Sequence, residues 1–575
     1  MRLQIAGSKK APSLYIVEST YDSVTGKRSN RVVEKLGTLE ELSRVHEDPI
    51  AWGRELAKTM TLEEKENKDE RIVVSYNPSG KLNKGNEALF QGGYLFLQKI
   101  YYDLGLDKIC QKISDKYKFE YDLNDILRVL VYGRILFPKS KRATYEEAKG
   151  LLEPPGFESH DTYRALEVLA RENEFIQSEL YKNSKKVLKR KDNILFYDCT
   201  NFFFELEEEE GLKQYGRSKE NRPNPIVQMG LFMDADGIPL AFCLHPGNTN
   251  EQQTLKPLEQ QIIRDFDTSR FVVCTDAGLS SLANRKFNSI QDRAFITTQS
   301  LKKLKAYQKQ WALAPEAWKL FGDRRSYNLD DIRKDKALQE KYWDKIFYKE
   351  RWFNEQGLEQ RYIVTFSLKY MAYTQAIRLK QVSRASKMVD SGRASRKGVN
   401  DPARFVQQLY IDEDGSICET SHTYVSKEKI QNEAQYDGFY CSATNLEDDA
   451  GLILKVNRQR WEMEESFRIM KSEFKARPVF LSRDDRITAH FMTCFLALYV
   501  FRFLEKKLGE AFTCEDITKT LRKMSFLKIP QEGYVPAYTR SDLTDALHDT
   551  AGFYTDYEIL SMSQIGKVIK QSKKR

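Results

Sequence analysis

A chain of 575 residues with 92 Lys and Arg against 83 Asp and Glu carries a formal charge of 92 − 83 = +9, and its 41% hydrophobic content is that of a globular protein. This excludes a mostly disordered, collagenous or coiled-coil chain and, at roughly 150 residues per domain, allows three or four domains. The eight cysteines are scattered, with no CxxC pair and no His at zinc-ligand spacing, which argues against structural zinc and predicts reduced thiols.

The first residues, MRLQIAGSKK, lack an apolar leader segment, so export is not expected. Residues 12–36 alternate around a turn at Ser23–Gly26 and predict a β-hairpin, and 54–70 reads as a charged helix or linker. Residues 1–75 are thus a small accessory region. The next region is 76–190, in which the periodicity becomes helical from about 86. Leu123, Ile126, Leu127, Leu130, Val131 and Ile135 share one face, Pro154-Pro155-Gly156 break the chain, and Tyr163, Leu166, Leu169 and Ala170 mark a second helix. With the basic turn Lys139, Lys141 and Arg142, this region reads as a helical DNA-binding domain or as a plain bundle.

The pattern changes at Ile194. Ile194–Phe204, Ile226–Met233 and Ile238–Leu244 predict three strands, the last two joined by Asp234-Ala235-Asp236-Gly237, a hairpin signal. Leu255, Leu258, Ile262 and Ile263 mark a helix, then Phe271–Thr275 and Phe295–Thr298 two more strands around a short helical stretch. This order predicts a multidomain α/β chain with a mixed sheet, the β-β-β-α-β-α-β-α order of a ribonuclease-H-like core, in 191–299. Residues 300–436, with Trp311, Trp318, Trp343 and Trp352, read as an inserted β-rich domain. The core resumes over 437–506 with a long helix near 450–475, and 507–575 is a helical region with a basic tail. The apolar run Phe491–Phe501 is shorter than the roughly 20 residues of a membrane span, so it reads as a buried helix and no membrane partner is expected.

Basic residues cluster at Arg378–Lys397, at Lys182–Lys191, at Lys139–Arg142 and in the tail Lys567–Arg575. Any one cluster is ordinarily a solvated face, but four together point to a polyanion such as nucleic acid.

Three carboxylates carry the chemical reading. Asp198 interrupts an apolar strand, where an uncompensated charge is costly. Asp276 follows the buried strand Phe271–Thr275, at the edge where such sheets open into a crevice, although it could simply cap the next helix. On a continuous helix at about 100° per residue, Arg460, Glu464 and Lys471 fall within about 40° of each other, whereas Glu462 and Glu465 turn away. The plain alternative for Glu464 is a surface pair with Arg460. Asp198, Asp276 and Glu464 together would hold two Mg²⁺ or Mn²⁺ ions, a site suited to in-line displacement at phosphorus, with Arg460 and Lys471 near the phosphate. No GxSxG motif or phosphate-binding P-loop occurs, and the six histidines are scattered.

At these residues the chain resembles the DDE transposases of bacterial insertion sequences, the superfamily marked by a Tyr, Arg, Glu, Lys pattern. Arg460-Trp-Glu-Met-Glu464 with Phe467-Arg468 and Lys471 is similar to that signature, and Tyr197-Asp198-Cys-Thr and Thr275-Asp276-Ala-Gly-Leu resemble the motifs of the two aspartates. Gly216-Arg-Ser-Lys219, Gly237-Ile-Pro239 and Gly247-Asn-Thr-Asn-Glu251 resemble intervening motifs, and the likeness runs over roughly 90–505. The departure is Asn457, which stands at the signature's tyrosine.

The resemblance implies a cut-and-paste transposase that binds the terminal inverted repeats of its element, releases 3′-hydroxyls and joins them to target DNA. It implies Asp198, Asp276 and Glu464 as catalytic metal ligands, and Arg460, Lys471, Asn457 and Arg468 as phosphate contacts. It further implies a homodimer at synapsis and an inserted tryptophan that steadies a flipped base; a cytoplasmic, nucleoid-associated setting is expected from the lack of targeting signals. A nuclease or resolvase without strand joining, and a non-catalytic transposase-derived DNA-binding protein, are the competing expectations.

Overall fold

A computed structural model describes residues 1–8, 11–21, 28–67, 78–79, 81, 84–85, 87–266, 268, 270–392, 395, 400–411 and 417–575. The chain divides into two units, Met1–Asn86 and Glu87–Arg575. In the first, Arg2–Ser8, Ala11–Tyr21 and Arg28–Thr38 pair antiparallel, with a helix over Pro49–Asn67. The hairpin expected over 12–36 is the second and third of these strands, and a further strand joins its edge. The turn Ser23–Gly26 lies outside the described residues, as do Arg393, Arg396 and Lys397 of the basic stretch.

In the second unit a short strand, Leu89–Gln91, is followed by helices between Tyr94 and Val187, among them α1 (Leu123–Leu136) and α2 (Lys141–Ala148). The sequence places one apolar face on α1, yet nearly all of α1 is buried, Asp125, Arg128 and Arg134 included. The cause is a 24-residue helix, Asp484–Lys507, whose residues from Phe491 to Leu504 are all buried and which packs on α1. That helix is long and apolar enough to cross a membrane, but 94% of its apolar window lies inside the protein.

A nine-stranded sheet forms the centre. In chain order its strands are β1 (Ile194–Phe203), β2 (Ile226–Asp234), β3 (Pro239–Pro246), β4 (Val272–Thr275), β5 (Ala294–Thr298), β6 (Lys319–Leu320), β7 (Phe347–Glu355), β8 (Leu358–Phe366) and β9 (Phe439–Thr444), arranged β6-β7-β8-β9-β5-β4-β1-β2-β3. β1, β4 and β5 are parallel, while β1–β2–β3 form an antiparallel meander. All nine residues of β2 are buried, as a strand covered on both faces requires. The β2–β3 turn is the expected one: Gly237 has φ of +71°, and Asp234 Oδ1 accepts from the amides of Asp236 and Ile238 at 3.0 Å. Residues between β5 and β9 add β6–β8 to this same sheet and also form a separate two-stranded pair, Val406–Ile411 with Ile417–Val425.

Candidate active site

β1 presents alternate residues to opposite faces. Leu195 and Tyr197 pack towards the helix α3 (Glu251–Asp265), where the Tyr197 hydroxyl donates to Thr254 Oγ1 at 2.7 Å. Tyr197 also lies across Gly230 of β2, where a Cβ would stand 2.1 Å from its hydroxyl, so only glycine admits the ring. Phe196 and Phe202 face the other way, and Phe202 meets Phe491 at 4.8 Å between ring centres. Asp198 and Thr200 share that second face by the two-residue period.

The register of β1 with β4 then aligns the aspartates. Ile194, Leu195 and Phe196 pair with Val272, Val273 and Cys274, and continuing that offset sets Asp198 opposite Asp276. Asp276 Oδ1 accepts from the amides of Gly278 and Leu279 at 2.9 and 3.0 Å and closes the turn after β4, whereas the next helix, Leu282–Phe287, is capped by Ser281 rather than by Asp276. Burial pushes the Asp198 carboxyl up to about 6, and the Asp276 charge acts in the same direction, while Lys219, the Cys199 amide and Arg460 pull it down. Lys219 pairs with Glu251 at 3.0 Å and donates to the Cys199 carbonyl.

The helix expected over 450–475 is broken. α4 (Ala450–Arg458) stops at Gln459, α5 (Trp461–Arg468) restarts after Arg460, and Ile469–Glu473 is a π-turn. The wider turn carries Lys471 to β1, where its ammonium donates to Thr200 Oγ1 at 2.7 Å. Burial and Lys219 lower this ammonium to about 8. Arg460 donates to Thr298 Oγ1 at the end of β5, 3.0 Å away, so the plain Arg460–Glu464 surface pair is not how Arg460 is held.

Glu464 is exposed on α5, beside the buried Met463 and Phe467. Glu462 approaches Arg502 at 3.8 Å and Glu465 holds Arg468 at 2.6 Å, so both turn elsewhere. Asn457 is 6% exposed and donates to the Tyr440 hydroxyl and Ser442 Oγ at 3.0 and 3.1 Å, an inward position. Among the described residues, the acidic and His side chains whose ligand atoms converge within 4.8 Å are Asp545, His548 and Asp556; the Asp198, Asp276 and Glu464 oxygens do not. Arg540 already pairs with both carboxylates of that group.

Two carboxylates at one register position, one raised by burial and by the other's charge, are oxygen donors that a hard divalent cation fits. Lys219 and Glu251 stand in motifs singled out in the sequence, but nothing in their spacing tied them to Asp198. Of the inserted tryptophans, Trp318 is fully buried and Trp311 packs on Phe353, whereas Trp343 and Trp352 are 44% and 43% exposed.

The sequence model of a family described as "Transposase DDE domain" matches residues 189–500, which is 312 of 575 residues. Solved structures with similarity include a piggyBac transposase synaptic complex with hairpin DNA (9% identity, TM-score 0.36, covering 82% of this chain and 86% of that one). Another is a Mos1 transposase paired-end complex with left transposon end (14% identity, TM-score 0.13, covering 40% of this chain and 65% of that one). A comparison with curated proteins finds no match. With the matched segment spanning both aspartates and Glu464, the chain belongs to the DDE-domain transposase family.

Proposed function

We propose that the chain is a catalytically active DNA transposase of the cut-and-paste kind, built on a ribonuclease-H-like core. It binds the terminal inverted repeats of its element, cleaves at their ends and joins the freed 3′-hydroxyls to target DNA. The observation that carries this reading is the parallel β1–β4 register, which, continued past its last pair, sets Asp198 of β1 opposite Asp276 just beyond the end of β4, with Lys471 drawn in from the segment that bears Glu464. Asp198, Asp276 and Glu464 would hold the divalent ions, Glu464 only once α5 brings it to the aspartates. Two Mg²⁺ or Mn²⁺ ions there supply activation of an attacking hydroxyl and stabilisation of the leaving oxygen. The chain's own cations do the rest: Lys471 and Arg460 orient a phosphate over β1 and β5, and Lys219 opposes the burial that raises the Asp198 carboxyl. Helices in 76–190 contact the duplex, two protomers meet at synapsis, and the enzyme works in the cytoplasm on the nucleoid.

The test is incubation of the protein with labelled duplex carrying the repeats that flank its gene, with Mg²⁺ and with EDTA. Metal-dependent nicking at the repeat boundary with joined products is expected. Nicking without joining favours a nuclease, and binding without nicking in Mg²⁺ or Mn²⁺ favours a non-catalytic protein.

A further inference from the structure

The basic cluster at Lys139–Arg142 does not lie on an open face. Lys141 opens α2 with its side chain turned inward, 6% exposed, and its ammonium has no hydrogen-bond partner. It lines a cavity of about 320 Å³ together with Arg134, Lys139, Lys475 and Arg477. Arg134 is 5% exposed; its contacts are the carbonyls of Phe474, Lys475 and Lys139, and its Nε has no partner. Lys139 is engaged by Glu147 and Arg477 by Glu220, but among the described lining residues there is no Asp or Glu. Two buried cations therefore face a cavity that supplies no counter-charge, an arrangement that costs stability unless an anion completes it. The ring of Phe480, 66% exposed, and Tyr163 form apolar parts of the wall.

We propose that this cavity is a phosphate-ester site, in which Lys141 and Arg134 hold the phosphate oxygens and Phe480 packs against the attached sugar. Phosphate matches the charge of two floor cations better than a single carboxylate does, and its several acceptor oxygens suit converging ammonium and guanidinium donors. The cavity wall is tied to the catalytic strand: the Val479 amide donates to the Phe203 carbonyl at 3.0 Å and the Glu205 amide to the Val479 carbonyl at 3.2 Å. Phe203 lies five residues beyond Asp198 on β1, a distance of roughly 17 Å at 3.3 Å per residue. A duplex crossing the carboxylates would thus present a backbone phosphate to the cavity on the order of five base pairs away. The cavity stands on its buried cations alone; assigning its phosphate to DNA rests on the transposase reading.

Lys141→Met removes the charge while keeping an unbranched chain in a buried place. Two arms, both in EDTA, separate the sources. In the first, inorganic phosphate or thymidine 5′-monophosphate should raise the melting temperature of the wild type more than chloride at equal ionic strength, and the variant should lose this protection. In the second, duplex DNA should bind the variant about tenfold more weakly, with a salt slope smaller by about 1. Loss in the DNA arm names the polymer as the source, and loss in the phosphate arm alone names a free phosphate ester. Variant and wild type alike in both arms, or no extra protection of the wild type by phosphate together with unchanged DNA binding, overturns the site. Should the wild type bind no DNA at all, the transposase reading falls while the phosphate arm still decides the cavity.

Discussion

The carboxylate edge of the sheet and the cationic cavity beside it are both clusters of like charge, yet they are compensated differently. Around Asp198 and Asp276 the fold places Lys219, Arg460 and Lys471, so the acids are partly neutralised before any ion arrives. Around Lys141 and Arg134 it places carbonyls and no described carboxylate. A half-compensated cluster can release what it binds and run a reaction, whereas an uncompensated buried one favours holding an anion. Elsewhere several members of the basic clusters are paired: Lys185 with Asp192, Lys191 with Asp236, Lys573 with Glu153 and Arg575 with Asp107.

The largest effect separates the two regions outright. Asp198→Asn, Asp276→Asn or Glu464→Gln should each lower strand cleavage by about 10³-fold or more, with a far smaller change in DNA affinity in EDTA. Quantified nicking by Asp198→Asn at the wild-type rate would remove the carboxylate edge from the chemistry.

Next comes stability against pH. Burial and Arg134 depress the Lys141 ammonium from 10.5 to about 7, so between those values the unfolded chain binds the extra proton and wild-type stability climbs as pH rises. Urea midpoints should show a gain on the order of 3 kcal/mol from pH 7 to 10, absent in Lys141→Met. Parallel curves for the two proteins would show that Lys141 is not buried without a partner.

A smaller effect sharpens the acidic side. Lys219 holds Asp198 down, so Lys219→Met should move the acid limb of the cleavage rate to higher pH and cost roughly tenfold in its rising part. An unmoved limb would mean that Lys219 serves only Glu251 and the Cys199 carbonyl.

The smallest expected effect is at Arg468, already engaged by Glu465. Arg468→Ala should alter stability by about 0.5 kcal/mol and leave cleavage within about twofold. A tenfold loss of cleavage would return Arg468 to the phosphate contacts.

The two aspartates were legible because each breaks a local rule: Asp198 interrupts an apolar strand, and Asp276 ends a buried one. The Asp-Gly turn at Gly237 was legible for the same reason, since its chemistry is local. The region around Glu464 was not. A continuous helix puts Arg460, Glu464 and Lys471 on one face, but the break at Gln459 and the π-turn at Ile469–Glu473 reset that phase, and only packing against β1 brings Lys471 to Thr200. Asn457 aligned with a signature position and yet points inward, held by Tyr440 and Ser442 from a strand 15 or more residues upstream.

From the residues alone came the element order of 191–299, the family resemblance and the three carboxylates, because strand alternation, turn chemistry and short motifs are properties of neighbouring residues. The β1–β4 register that sets Asp198 opposite Asp276, the pairing of Lys191, Lys573 and Arg575 with distant acids, and the inward turn of Lys141 are contacts between segments far apart in the chain. They exist only after the core closes, since burial and counter-charge are supplied by whatever the tertiary structure packs alongside.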